Sequence, residues 1–498
     1  MITVKPQVPI QTVVPDISST SKHFIRSRNV EILPNSQVSY SYSGNNQIEF
    51  TISSGQDFID FSNSYLRFDI TCALNNNGAD DTSKYLSEGG IHSVFREVRL
   101  ETASGTVIER VDRYNKLYAL LSQFTQSKEM VDRTEFASGD GSCFQDFVAP
   151  CDLKDAFFDS DTGTVGAVGG VADPDFRVVY TGVIGANGSG DPGSSMKTPT
   201  RKKVANTPSV AVMMKALLSF MNLGQIIPLY LIRGGVRLVM VLDNPATCLA
   251  TPSTRAGTGF AGANVTLSNA RYIARMITPS EELTSMYISK FNTSGMAYPL
   301  ICYKHFLDIL GSGTGVESKQ IFSNVRSARF VLQRLQVASL ETADDNATAS
   351  LNSYSFDSCA IGLKENLKEY QFSSGSKQFP VFKVQVDDIG QYEAFNRLLQ
   401  AIGVYGSSMT PRFDQYEWTA DNLIMGLTDS TRFAIGEDLS RDKSVLTGTD
   451  LQTVPLNYEL NFTNPLTIGG ASAPRYLHTF VGYDTLVSIS SSGVIVRS

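Results

Sequence analysis

Four histidines (His23, His92, His305, His478) and six cysteines (Cys72, Cys143, Cys151, Cys248, Cys302, Cys359) set the ceiling on nucleophilic, acid-base and metal chemistry in this chain. Cys302 and His305 stand at a C-x-x-H spacing within AYPLICYKHFLDIL. That segment reads as extended, and on a strand residues three apart point to opposite faces, so the two are not expected to share a zinc ion. No CxxC pair occurs, and the cysteines are too sparse for a disulfide framework, so buried reduced thiols are expected.

Gly188, Gly190 and Gly193 satisfy the spacing of a dinucleotide-binding loop. The loop requires a helix opening at the glycines, whose first amides face a pyrophosphate, whereas Asp191, Pro192 and the following Gly-Ser-Ser are turn sequence. Asp159, Asp161 and Gly163 begin like a calcium loop, but glycine stands where a third oxygen ligand belongs and no closing glutamate follows at the right spacing. Asp80-Asp81, Asp344-Asp345 and Asp387-Asp388 are adjacent rather than opposed, which is not the arrangement of a general acid and base. Neither a G-x-S-x-G elbow nor a phosphate-binding P-loop is present. No residue is assigned a catalytic, cofactor-binding or metal-ligating role, no cofactor is expected, and the chain reads as a non-enzyme.

What must these residues sit on? Charged residues are only 18% of the chain while Ser, Thr, Asn and Gly abound, the composition of strands with polar outer faces rather than of helical bundles. A net charge of −7 leaves no basic excess for a phosphate backbone, and the one dense basic run, Arg201 to Lys203, lies among turn formers, so sequence-specific nucleic-acid binding is not expected. Lys5, Pro6, Pro9, Pro15 and Asp16 interrupt the N-terminal stretch where a signal peptide needs an apolar run. Lys215, Pro228, Arg233 and Arg237 break the most apolar region, 209 to 243, so no transmembrane segment is expected. The sequons at Asn187, Asn264, Asn292, Asn346 and Asn461 therefore carry no requirement for glycosylation.

Period-two alternation recurs along the chain. Val38, Tyr40 and Tyr42 share one face, and after the Gly44-Asn45-Asn46 turn Ile48, Phe50 and Ile52 repeat the pattern. Leu66, Phe68 and Ile70 oppose Tyr65, Arg67 and Asp69, and Val98 and Leu100 oppose Glu97, Arg99 and Glu101. Two segments instead carry helical spacing: Val111, Tyr114, Leu117, Tyr118 and Leu121, then Tyr392, Phe395, Leu398, Leu399 and Ile402. The second follows the alternating Phe382, Val384 and Val386. A further echo joins IPLYLIRGGVRLVMVLDNP, with Val236, Leu238, Met240 and Leu242 on one face, to VPLNYELNFTNP, with Tyr458, Leu460 and Phe462. Two echoes in the same order indicate a duplicated domain.

The expected fold is all-β: two tandem antiparallel β-sandwich (jelly-roll) domains with a few short helices in connections. Residues 1–26 read as an N-terminal arm, 27–245 as the first sandwich, 246–265 as a linker and 266–498 as the second sandwich. Within the first, 155–206 is too rich in Gly, Asp and Pro to fill a core and reads as a surface excursion.

The order SYLRFDI, REVRLETASGTVIERVDRYNKLYALL, IPLYLIRGGVRLVMVLDNP, NARYIARMITPSEELTSMYISKF, RFAIGEDLSRDKSVLTGTDLQTVPLNYELNF and LHTFVGYDTLVSISSSGVI resembles the double jelly-roll major capsid proteins of polinton-like viruses, adintoviruses and virophages. The resemblance covers most of the chain and rests on order and texture. It implies a homotrimer whose sandwiches form a pseudo-hexagonal capsomer, in an icosahedral virion shell around double-stranded DNA assembled inside the host cell. Neighbouring capsomers, a single jelly-roll penton protein and other minor capsid proteins are the implied partners. Two alternatives belong to other classes: a double-sandwich hydrolase (amidase or glycosidase), which needs convergent carboxylates in a cleft, and a glycan-binding spike or adhesin, which needs clustered surface aromatics, against which the single Trp418 counts.

Overall fold

The computed structural model describes residues 24–73, 85–127, 210–250, 264–337, 359–405 and 418–497, short breaks inside these ranges excepted. The first sandwich is built from β1 (Phe24–Ile32), β2 (Gln47–Ile52), β3 (Phe58–Ala73), β4 (Phe95–Thr102), β5 (Val107–Asp112), β6 (Val210–Met214), β7 (Val236–Leu242) and β8 (Asn264–Pro279). All pair antiparallel, in sheets of order β1-β8-β3-β6 and β2-β7-β4-β5. The second is built from β9 (Met296–Leu310), β10 (Gly315–Ile321), β11 (Ala328–Val337), β12 (Leu367–Ser374), β13 (Lys377–Gln385), β14 (Ile435–Asp438), β15 (Leu456–Phe462) and β16 (Arg475–Ser490). Its sheets run β9-β16-β11-β14 and β10-β15-β12-β13, so that β9 takes the place of β1, β10 of β2, and so on through β16. The echo between the segments of β7 and β15 joins strands at equivalent places in the two halves.

The alternating faces close the cores. Ile48, Phe50 and Ile52 are buried, as are Leu66, Phe68, Ile70, Val98, Leu100, Tyr458, Leu460 and Phe462. Aromatic pairs join the facing sheets of the first sandwich: Phe50 to Tyr272 at 6.3 Å and Phe68 to Phe95 at 5.7 Å between ring centroids. Two expected faces stop short. The strand at Tyr40–Ser41 ends in a turn, which leaves Tyr42 exposed, and Phe382 is exposed on the edge strand β13 while Val384 and Val386 point inward.

The expected linker and domain start need correction. Thr266 falls inside β8, which hydrogen-bonds to β1 and β3 and so completes the first sandwich. The crossing to the second runs through α2 (Glu281–Thr293), after α1 (Tyr114–Thr125) in chain order. Ser280 caps α2 by accepting the Leu283 amide, with Glu281 and Glu282 in the first turn and Lys290 in the last, as the helix dipole favours. The expected arm up to residue 23, the excursion 155–206, residues 251–263 and the runs at 80–81, 159–163, 188–193, 201–203, 344–345 and 387–388 lie outside the described residues.

Both expected helices form between the fifth and sixth strands of their sandwiches: α1 after β5, and α3 (Gln391–Ile402) after β13. Val111 belongs to β5 rather than to α1, and Tyr392 on α3 is 63% exposed. The helices share a place in the chain but pack on different strands of their own sandwiches. α1 lies on the start of β4 and the 3-10 turn Gly90–Val94, whereas α3 lies on β14 and β11.

A turn before β7 fixes one edge of the first sandwich. Gly235 has φ 77°, and a Cβ there would stand 2.3 Å from the Ile52 carbonyl oxygen. An alanine would meet both the left-handed backbone and the β2 main chain, so Gly235→Ala is expected to cost at least about 2 kcal/mol, read as a lowered urea midpoint with unchanged slope.

Candidate functional site: the seam between the sandwiches

In β11, residues 331 to 336 are all buried, and β16 buries His478 and Thr479 in succession, so both faces of these strands are covered. One cover is their own sandwich. The other is formed by α1 together with α3 and the segment at Cys359 to Ile361, which explains why polar side chains on the outer face of this sheet are dry. Lys116 on α1 is 1% exposed; its Nζ donates to Gln336 Oε1 on β11 at 2.6 Å and lies 3.1 Å from His478 Nε2 on β16. His478 Nδ1 lies 3.0 Å from His305 Nε2 on β9. Further along α1, Gln123 Oε1 accepts from Arg334 Nη2 at 2.5 Å, while Arg334 Nη1 donates to the Cys359 carbonyl. Phe124 meets Phe395 of α3 edge-on at 6.4 Å. Such a seam is costly to open, because each buried polar group would lose its partner.

A second contact lies on β5. Glu109 is buried, its two oxygens accepting the Ser219 and Phe220 amides at 2.8 and 2.9 Å, and the Ser219 hydroxyl donates to the Ile301 carbonyl on β9. Burial pushes this carboxyl up to about 7, offset in part by the two amides. His92 is buried beneath α1, 2.7 Å from the Tyr114 hydroxyl and stacked on Tyr118, and burial holds its pKa down to about 3.

Among the described residues, those singled out for chemistry serve the seam and the cores. Cys302 is buried and His305 half-buried on β9, and the imidazole's partner is His478, separated by 173 positions in sequence. No local pattern could reveal that pair; it follows from the antiparallel β9–β16 register, in which Leu307 faces His478. Cys248 and Cys359 are buried and donate to main-chain carbonyls. Trp418 is buried, its indole N–H donating to the Ala434 carbonyl, so it offers no sugar platform. Among the described residues no group of three metal-ligating side chains converges, and no helix is long and apolar enough to cross a membrane. A cavity lined by Phe61, Tyr65, Met214 and Tyr272 measures about 10 Å³, the room of a single water.

No protein-family model matches this chain, and neither does any curated protein. Solved structures do. A chain of the Sputnik virophage matches with TM-score 0.55 at 11% identity, over 100% of this chain and 93% of that one. The Faustovirus major capsid protein matches with TM-score 0.54 at 11% identity, over 96% and 93%. The mavirus major capsid protein matches with TM-score 0.51 at 11% identity, over 97% and 94%. The fold is the double jelly roll. At these identities the likeness is one of fold, and it extends over both jelly rolls from end to end.

Proposed function

We propose that this chain is a viral major capsid protein, a structural subunit of the virion shell without catalytic activity. The observation that carries the reading is the repeated jelly-roll order, β1-β8-β3-β6 with β2-β7-β4-β5 and its copy in β9 to β16, in a fold that matches capsid proteins over nearly the full length of both chains. The dry polar seam supports it: a subunit under lateral load needs its halves locked, and α1 buries Lys116 and Gln123 against the second jelly roll. Three such chains closing in a ring present six sandwiches, which lets a three-fold object occupy six-fold positions with similar contacts all round. The capsomer is then a pseudo-hexagonal homotrimer in an icosahedral shell around double-stranded DNA. It borders neighbouring capsomers, a single jelly-roll penton protein and minor capsid proteins.

Light scattering of the purified protein with negative-stain imaging tests this. The expected result is a trimer of hexagonal outline that assembles into larger shells; a monodisperse monomer at micromolar concentration and above would sink it.

A further inference from the structure

We propose that the open edge of the second jelly roll, where a bulge in β13 carries Val381 and Phe382, docks on β1 in the first jelly roll of another copy of this chain.

Within one chain the two jelly rolls meet through unlike faces. β5, an edge strand of the first, lies against β9, an edge strand of the second, without sharing a sheet with it. Glu109 on β5 is within electrostatic reach of Cys302 and Tyr303 on β9. Ser219, whose amide holds Glu109, donates its hydroxyl to the Ile301 carbonyl. A contact between unlike faces leaves one face of each kind unused, and a further copy can fill it. The duplication says where those faces are. β13 is the counterpart of β5 and β1 is the counterpart of β9, and both are edge strands.

Exposure differs between the counterparts accordingly. Val111 of β5 pairs with Val98, which faces Met240, and Val384 of β13 pairs with Tyr370, which faces Leu460. Met240 and Leu460 are equivalent when the Asn244-Pro245 and Asn464-Pro465 stops are aligned. The stretch just before Val111 therefore corresponds to the stretch just before Val384. In β5 it holds Ile108 and Glu109, each 2% exposed. In β13 it holds Val381 and Phe382, 80% and 54% exposed. On the other face, Ile301 and Tyr303 of β9 are half-buried, whereas β1 is exposed from residue 25 to residue 29, with Ile25 at 70%.

Protection of an edge does not by itself account for β13. A strand that only has to avoid pairing carries proline, lysine or a bulge, and β13 has Pro380, Lys383 and a register shift between its pairs with Tyr370 and Phe372. Those devices discourage the addition of a strand, yet the bulge turns two apolar side chains to solvent. The Arg397 guanidinium stands 5.3 Å from the Phe382 ring centroid and widens the patch. Apolar side chains aimed outward from an edge closed to pairing suit packing against another sandwich, as β5 packs on β9. The two contacts are not atom-for-atom copies, since Phe382 stands where β5 has a carboxylate held by two main-chain amides. Closure of the repeated contact at three copies rests on the capsid reading; the choice of surfaces does not.

A photo-crosslinking phenylalanine analogue in place of Phe382, in full-length protein co-assembled with isotope-labelled copies, should cross-link between copies to peptides covering 24–32 or the adjoining 264–279. Val381→Asp, Phe382→Asp and Ile25→Asp should each raise the concentration at which the assembly dissociates by at least about tenfold, as when one apolar anchor of an interface is lost. The urea midpoint of the unassembled chain should not move, because all three side chains are already exposed there. Assemblies undiminished in all three variants, or cross-links that reach only other strands, overturn the contact and leave the capsid reading standing. Head-to-tail filaments with the expected cross-links uphold the contact and overturn the trimer. An unaltered protein that stays a monomer at every concentration overturns both.

Discussion

Replacing Arg475 by alanine is expected to cost about 3 to 5 kcal/mol, the range for removing one partner of a buried ion pair. The guanidinium is fully buried at the first residue of β16, its Nε 3.1 Å from Glu365 Oε2, itself dry. Nη1 donates to the Gly311 and Gly313 carbonyls at 2.7 and 3.0 Å, Nη2 donates to the Asn464 carbonyl at 3.0 Å, and the group lies 4.0 Å over the Phe462 ring. One side chain thus ties the β9–β10 turn, the segment after β15 and the approach to β12 at one end of the second jelly roll. Alanine strips three carbonyls of a donor and removes the cation beside Glu365, and the low dielectric makes both losses expensive. Urea unfolding at fixed protein concentration, with Glu365→Gln and the double variant completing the cycle, checks this. The pair is coupled if the double variant costs clearly less than the two single costs added together. A loss below about 1 kcal/mol for Arg475→Ala would mean that the site is wetter than the structure has it.

The sequence carries no trace of that cluster, because its members lie far apart and meet only when β9, β12, β15 and β16 converge. What the sequence does carry is local. Alternation over Ile48 to Ile52, Leu66 to Ile70 and Tyr458 to Phe462 found strands and their inward faces, since a one-residue slip would expose every apolar side chain. Helical spacing found α1 and α3, and the order of echoes found the duplication. Local composition misplaces the boundary: 246–265 has the texture of a linker, yet β8 inserts between β1 and β3, and nothing near Thr266 encodes that long-range pairing. The charged face of β4 is equally hard to read from local sequence. Glu97 and Glu101 look solvated in sequence, but they are nearly buried in a ladder with Arg99, Arg110 and Arg237 at 2.6 to 3.5 Å. The ladder's members come from β4, β5 and β7. The seam was illegible for the same reason, since Lys116 reads as the wet side of an amphipathic helix until a second jelly roll is laid against it.

The two helices give the other large expected effect, and they separate a helix that merely decorates a sandwich from one that holds it. Leu398 is 0% exposed on α3, and its Cδ1 would stand 3.0 Å from a Cβ on Gly436 of β14, with Ala401 close beside it. The helix therefore sits as near the strand as a glycine allows, with little slack for collapse around a missing side chain. Leu398→Ala should cost about 3 to 5 kcal/mol, toward the upper part of the range for leucine truncation, because a rigid site keeps its cavity. Leu117, equally buried on α1, should cost a similar amount. Tyr392 shares the helical spacing but points to solvent, so Tyr392→Ala should change unfolding by no more than about 0.5 kcal/mol. If the subunit is a capsid protein, the two leucine variants should also lower the yield of trimers and shells. Tyr392→Ala, innocuous for the fold, should affect assembly only if a neighbouring copy covers that exposed ring. Chemical unfolding of the three variants beside their assembly yields decides the matter. A cheap Leu398→Ala would show that α3 is dispensable to the core, and a costly Tyr392→Ala in the unassembled chain would show that its exposure is wrongly placed.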